Sequence, residues 1–199
     1  MFCNFNNAYK LTPETFDSWM RILGGVENSV LWLLESAAPY GDNLRKEARK
    51  RGIAAERIIF AADLPTDRHL ARLQLADLFL DSLPYNAHTT ASDALWAGVP
   101  LITCRGTAFP GRVAASLLSA AGLTELVTES RADFEALAIK LANDSKALAK
   151  LRGKVAKART SALFDTAAFT RHIENAYRTM WENWLAGKKP AGFTVKTKA

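Results

Sequence analysis

The sequence predicts an α/β fold: a doubly wound, Rossmann-like parallel sheet with extra helices at its C-terminal end. Three observations carry that expectation. Short apolar runs alternate with helical stretches at the spacing of βαβ units. The runs are continuously apolar, as in Val30-Leu31-Trp32-Leu33-Leu34 and Leu78-Phe79-Leu80, which suits strands covered on both faces. Gly, Pro and polar clusters punctuate the boundaries, and no internal repeat interrupts the alternation. With 199 residues, 49% of them hydrophobic, the chain can bury one core of ordinary domain size.

Met1 to Phe5 reads as the first strand, followed by the polar loop Asn6-Asn7-Ala8-Tyr9-Lys10. Thr12 is placed to cap a helix that Pro13 opens; Phe16, Trp19, Met20 and Leu23 recur at helical spacing, and Gly24-Gly25 ends it. Val30 to Leu34 is the second strand. A charged helix from Asp42 to Arg51, closed by Gly52, leads to the third strand, Ile58 to Phe60. A helix from Thr66 to Ala76 precedes the fourth, Leu78 to Leu80. Asp81 breaks that strand, Pro84-Tyr85-Asn86 turns the chain, and a helix starts at His88-Thr89-Thr90 and stops at Gly98. Leu101 to Thr103 is the fifth strand. Pro110 to Ala121 reads as a helix with Val113, Leu117 and Leu118 inward, and Glu125 to Val127 as a short sixth strand. Three helices follow, Arg131 to Asn143, Ser145 to Thr160 and Asp165 to Leu185. The domain is expected to run from residue 1 to 186, with 187–199 a flexible basic tail carrying Lys188, Lys189, Lys196 and Lys198.

Lys and Arg number 26 against 20 Asp and Glu, a formal charge of +6 that would attract an anionic partner. Apart from Arg45 to Arg51 and the tail, the basic residues are scattered as on a solvated surface, so no nucleic acid is expected. Cys3 and Cys104 stand in unlike apolar contexts, without disulfide or zinc spacing, which suits small buried side chains in a reducing cytoplasm. No apolar stretch has the length of a membrane span, and the start lacks the form of a signal peptide. It reads as a strand beginning abruptly, as though a longer chain had been cut there.

In such sheets ligands bind at the carboxyl ends of strands, near a switch in strand order. The loops Asn6 to Lys10 and Pro84 to Thr90 both follow strands and would face one crevice. A helix N-terminus offers unpaired N–H groups and partial positive charge, a natural seat for phosphate. His88, Thr89, Thr90 and Asp93 set an imidazole, two hydroxyls and a carboxylate within one turn, fitting a diphosphate and ribose hydroxyls. The plainer reading is a helix cap, since Thr90 with Asp93 three residues on resembles a capping box. Lys10 facing that seat would neutralise charge on a leaving group, although a lone lysine is most often solvent-exposed. His69 and Arg72 share a helix face at i and i+3, and Arg112 opens a helix beside Pro110-Gly111; from the residues alone an ordinary surface position is the favoured reading for His69 and Arg72, and Arg112 is equally open. Trp19, Trp32 and Trp96 sit at core spacing. There is no dinucleotide fingerprint, phosphate loop, nucleophile elbow, metal motif or pair of catalytic carboxylates. The residues by themselves indicate an anion- or nucleotide-binding α/β domain without a complete reaction site.

Several separated segments resemble the O-linked N-acetylglucosamine transferases: Phe5-Asn6-Asn7-Ala8-Tyr9-Lys10, Ser29 to Leu34, Gln74-Leu75-Ala76-Asp77, and His88-Thr89-Thr90 with Asp93 and Leu95-Trp96-Ala97-Gly98-Val99-Pro100. So do Arg112-Val113-Ala114-Ala115-Ser116 and Leu151-Arg152-Gly153-Lys154-Val155, and the likeness runs in order to about Lys189. Members of that family carry TPR repeats and a two-lobed GT-B catalytic region. The chain resembles the C-terminal lobe, which binds the UDP-sugar donor. The resemblance implies an inverting glycosyltransferase that moves N-acetylglucosamine from UDP-GlcNAc to Ser or Thr of proteins, without a metal or other cofactor.

By the same resemblance Lys10 contacts the donor diphosphate and stabilises the leaving group. His88, Thr89 and Thr90 lie at the phosphates, Asp93 at the uridine ribose, and His69 and Arg72 along the uracil side. Asn7 stands where the animal enzymes have Gln, and Thr66 where they have Lys. Transfer of fucose or glucose from related donors, sugar-nucleotide epimerisation, and a non-catalytic nucleotide-sensing or interaction module are the competing readings. The N-terminal lobe and TPR array, which would hold the protein acceptor and the acid/base group, are not in this sequence, so the chain alone is expected to bind UDP and transfer little or nothing. Ile173, Tyr177, Met180, Trp181 and Trp184 of the last helix would be bare or paired with another copy.

Overall fold

Six parallel strands form one sheet in the computed structural model, which describes residues 1–195. They are β1 (Phe2–Asn4), β2 (Leu31–Leu34), β3 (Ile58–Ala61), β4 (Leu78–Leu80), β5 (Leu101–Cys104) and β6 (Val127–Thr128). Their order across the sheet is β3-β2-β1-β4-β5-β6. Phe2 stands opposite Leu31 on one side and Leu78 on the other, and Thr103 stands opposite Val127. The expected doubly wound sheet is therefore present. Lys196 and Lys198 of the expected tail lie outside the described residues.

Among the described residues, eight α-helices join and flank the strands: α1 (Pro13–Gly24), α2 (Tyr40–Lys50), α3 (Thr66–Leu73), α4 (Thr89–Trp96), α5 (Val113–Ala120), α6 (Arg131–Asn143), α7 (Ser145–Ala156) and α8 (Thr166–Leu185). Right-handed crossovers put α1 and α2 on one face and α3, α4 and α5 on the other. α6 returns to pack on α1, while α4 touches both α3 and α5. α7 and the turn after it cross the amino ends of the strands. There Arg152 donates to the Gln74 and Ala76 carbonyls before β4, and Arg159 to the Trp96 carbonyl before β5. The carboxyl ends of the strands are thus left open on the opposite side.

Three details depart from the sequence reading. The sixth strand is Val127–Thr128, because Thr124–Leu126 closes a 3-10 turn that takes Glu125 out of it. Phe109–Gly111 is also a 3-10 turn, and the inward face of α5 is Ala114, Ala115 and Leu118, with Val113 and Leu117 only half-buried. Trp96 is 42% exposed rather than core, lying between the Arg159 guanidinium and the Phe164 ring. Trp19 is fully buried and donates its indole N–H to the Asp81 carbonyl at 3.3 Å, and Trp32 packs edge-on against Phe5. Both cysteines are free and buried.

The chain winds outward from β1 through β2 and β3, then returns to β4 and winds the other way, so the switch point lies between β1 and β4. One buried side chain stitches the two strands where they part. Asn4 donates through Nδ2 to the Leu80 carbonyl at 2.7 Å and accepts the Asn6 N–H on Oδ1 at 2.9 Å. Replacing it by the similar-sized Asn4→Leu would strand both backbone groups, at a cost of about 2–3 kcal/mol. Urea unfolding of the variant should show that loss; unchanged stability would refute the role given to Asn4.

Candidate functional site

The loop from β4 to α4 takes its shape from one carboxylate. Asp81, 3% exposed, accepts the N–H of Ser82 at 2.7 Å and of Ala87 at 2.6 Å on a single oxygen, Oδ1. Its other oxygen, Oδ2, accepts the Thr103 hydroxyl of β5 at 2.6 Å. The closed loop is braced from outside: Thr15 donates to the Leu83 carbonyl at 2.5 Å, and Asn86 N–H donates to the Pro110 carbonyl at 2.9 Å. Gly111 permits that close packing, since a Cβ there would lie 2.7 Å from the Pro84 carbonyl. Burial pushes the Asp81 acid up to about 7, against the pull of Thr103, the two amides and Lys10.

Lys10 reaches this loop from the 3-10 turn after β1. Instead of standing in solvent as a lone lysine usually does, it is buried, with Nζ donating to the Asn86 carbonyl at 3.0 Å and lying 4.1 Å from the centre of the Tyr85 ring. Burial lowers its pKa and Asp81 pulls it back up. The start of α4 is tied to the same β1 loop. His88 occupies the N-cap without a side-chain cap, and among the described residues no acceptor takes the backbone N–H of Thr89 or Thr90. The capping-box reading of Thr90 and Asp93 is therefore corrected. The Thr90 hydroxyl instead donates to Asn6 Oδ1, whose amide Nδ2 donates to Ser82 Oγ at 2.9 Å. The helix start stays open, and Asn6 ties it to the β1 loop.

His88 turns its ring from the crevice toward the β5–α5 loop, with Nε2 3.2 Å from the Pro110 carbonyl and the ring against Tyr85 and Phe109. Thr89 is exposed at the first position of α4. On the opposite rim, Arg72 Nε donates to His69 Nδ1 at 3.1 Å, Nη1 holds the Ala62 carbonyl, and the guanidinium covers the Phe5 ring. With Nδ1 as acceptor, the neutral His69 ring carries its proton on Nε2. Burial, then the Arg72 charge, lowers the His69 pKa, while nearby Asp93 raises it. Asp93 is itself raised by burial and drawn down by His69, so α3 and α4 bring these two together. Asn7 is exposed with no side-chain hydrogen bond at the turn, and Thr66 and Arg112 are likewise exposed. Asp81, Asn6, Asn86 and Tyr85 are the residues that the sequence reading did not assign. Among the described residues, no group of three or more His, Cys, Asp or Glu could hold a metal ion, and no helix is long and apolar enough to cross a membrane.

The family model described as glycosyl transferase family 41 matches residues 1–173. Over 188 residues the chain is 39% identical to the UDP-N-acetylglucosamine–peptide N-acetylglucosaminyltransferase of Caenorhabditis elegans, covering 94% of this chain and 16% of that protein. A mutant of the Thermobaculum terrenum O-GlcNAc transferase is 34% identical, with a TM-score of 0.86 over 92% of this chain and 36% of that one. Anabaena HepE, solved in complex with UDP, shares the fold at a TM-score of 0.61 and 14% identity, over 89% of this chain and 48% of that one. The chain thus spans less than half the length of each of these relatives.

The buried acid of the loop has a consequence for stability. With its pKa near 7 in the fold and in the ordinary carboxylate range when unfolded, Asp81 binds its proton more tightly in the native state. Its contribution should therefore rise as pH falls from about 7 toward about 4, where the unfolded carboxylate also takes its proton. The stability of the wild type relative to Asp81→Asn should increase over that window on acidification. A pH-independent difference in denaturant midpoints would contradict it.

Proposed function

Because this chain belongs to glycosyl transferase family 41, we propose that it is the donor-binding lobe of a protein O-linked N-acetylglucosaminyltransferase. The whole protein would move N-acetylglucosamine from UDP to a Ser or Thr hydroxyl with inversion. One observation carries the reading at the level of residues: a buried lysine after β1 and an uncapped helix start after β4 converge at the switch point. A diphosphate set between them would meet Lys10 Nζ, the free N–H groups of Thr89 and Thr90, the Thr89 hydroxyl, and the Thr90 hydroxyl once it turns its proton from Asn6 Oδ1 to the phosphate. As the glycosidic bond breaks, negative charge gathers on the departing diphosphate. Lys10 and the helix start supply the opposing charge in place, with little reorganisation, and no metal is part of the proposal.

On the uracil side, His69 is fixed by Arg72 and Phe5, with Nε2–H left to donate to a base carbonyl. The lowered pKa of His69 favours that neutral form. Asp93 beside it would accept from ribose hydroxyls. Asn7, exposed at the mouth, is assigned to the sugar-proximal phosphate. His88 would take the same phosphate through its backbone N–H, its ring serving to pack the loop. The acceptor protein and the group that removes the acceptor proton belong, in this proposal, to regions outside the chain. Apart from those regions it would bind UDP and transfer little or nothing.

Titration calorimetry with UDP tests the assignment. The chain should bind UDP, and Lys10→Ala and Thr90→Ala should each weaken binding about tenfold or more, about 1.4 kcal/mol. Absence of binding, or binding that neither substitution alters, would overturn it. In a thermal-shift series, UDP-N-acetylglucosamine should stabilise the chain more than UDP-glucose or GDP-fucose; a larger shift with either of those would change the donor.

A further inference from the structure

Among the described residues, Lys10 is the one buried cation and Asp81 the one buried carboxylate, and neither forms a direct ion pair. They communicate through the loop between them. Asp81 Oδ1 grips the amides of Ser82 and Ala87, and Lys10 Nζ grips the carbonyl of Asn86, the neighbour of Ala87. A diphosphate seated against Lys10 and the start of α4 lies just across this loop. It would draw Nζ from the Asn86 carbonyl and add negative charge to the field of a buried carboxylate.

We propose that Asp81 is the positioning residue of the diphosphate seat: it shapes loop 82–87 in the empty lobe, and its ionised fraction takes up a proton from solvent as the diphosphate binds. The geometry allows that proton to be added without disturbing the loop. Oδ1 keeps both amide N–H groups. The proton goes to Oδ2, which then donates to Thr103 Oγ1 instead of accepting from it. The Thr103 hydroxyl turns to the Cys104 carbonyl, already 3.5 Å away. The other charged or titratable groups around Asp81 come from separate elements. Lys10 approaches from the β1 loop, and Arg131 of α6 and Cys104 of β5 line the small cavity beside it. His88 stands at the start of α4, and His69 and Asp93 face each other farther along the crevice. Of these, Asp81 alone is both fully enclosed and raised to about 7, where a change in nearby charge shifts its proton occupancy most.

The proposal rests on the donor-site reading, and calorimetry separates the two. UDP is titrated into the chain near neutral pH in buffers of different ionisation enthalpy, which counts protons taken up per UDP bound. The wild type should take up a measurable fraction of a proton. Asp81→Asn, which keeps an oxygen for the two amides, should bind UDP while losing most of that uptake. Thr103→Val removes the hydroxyl that favours the ionised form, so its maximum uptake should move to higher pH. Equal uptake by wild type and Asp81→Asn would overturn the proposal and leave the donor site standing; no UDP binding by wild type would remove the donor site as well. Should Asp81→Asn fail to fold, an uptake profile unchanged in Thr103→Val is the overturning result.

Discussion

Where β1 and β4 part, their last backbone groups lose the neighbouring strand, and buried backbone groups must find other partners. Much of the crevice follows from how this chain meets that demand. Asn4 takes the Leu80 carbonyl and the Asn6 N–H, while Asp81 takes the amides of Ser82 and Ala87. The groups that satisfy the ends of the strands are the same ones that aim the two loops at each other. Structure and site are therefore coupled at a few polar side chains, not at the apolar core beneath them.

The coupling has an electrostatic side. A crevice suited to an anion needs positive charge that water does not dissipate, yet a desolvated lysine tends to give up its proton. Asp81 offsets that tendency from behind the loop without occupying the lysine directly, so Nζ is held by a neutral carbonyl that an anion can replace. A direct ion pair would have neutralised the charge and blocked the seat. The helix start is kept free in a comparable way: the Thr90 hydroxyl is spent on Asn6, not on the helix's own N–H groups.

Most strand and helix positions were legible because they rest on local periodicity, which a sequence displays directly, whereas the order β3-β2-β1-β4-β5-β6 across the sheet came only with the fold. β6 was displaced because two paired residues carry too little pattern to locate a strand. The candidate site was legible in its residue types but not in its pairings. Asn6 and Asn7 are chemically identical neighbours, and only the fold shows that the first is buried between two loops while the second faces solvent. Asp81 read as a strand breaker because its partners come from Ala87, six positions on, and from Thr103 across β5. The capping-box pattern at Thr90 misled because its hydroxyl partner lies 84 positions away. Local patterns report what a residue can do, whereas long-range closure decides which option is taken.

The molecule also divides physically into a self-sufficient half and an open one. At the switch point nearly every buried polar atom has a partner within the chain, Asn86 Oδ1 being the exception among the described residues. α8 is the opposite case. It is 20 residues long with no buried residue, and Phe169, Tyr177, Trp181, Trp184 and Leu185 are all more than half exposed along it. Helices in proteins gain most of their stability by packing an apolar face, and this face stays largely exposed within the described residues. A donor pocket can be complete in one lobe because a diphosphate needs only a convergent set of N–H groups and cations. In the proposed function, transfer would also need an acceptor hydroxyl delivered against the sugar with its proton removed, a role assigned there to regions outside the chain. The finished polar crevice and the unfinished apolar helix are consistent with that division of labour.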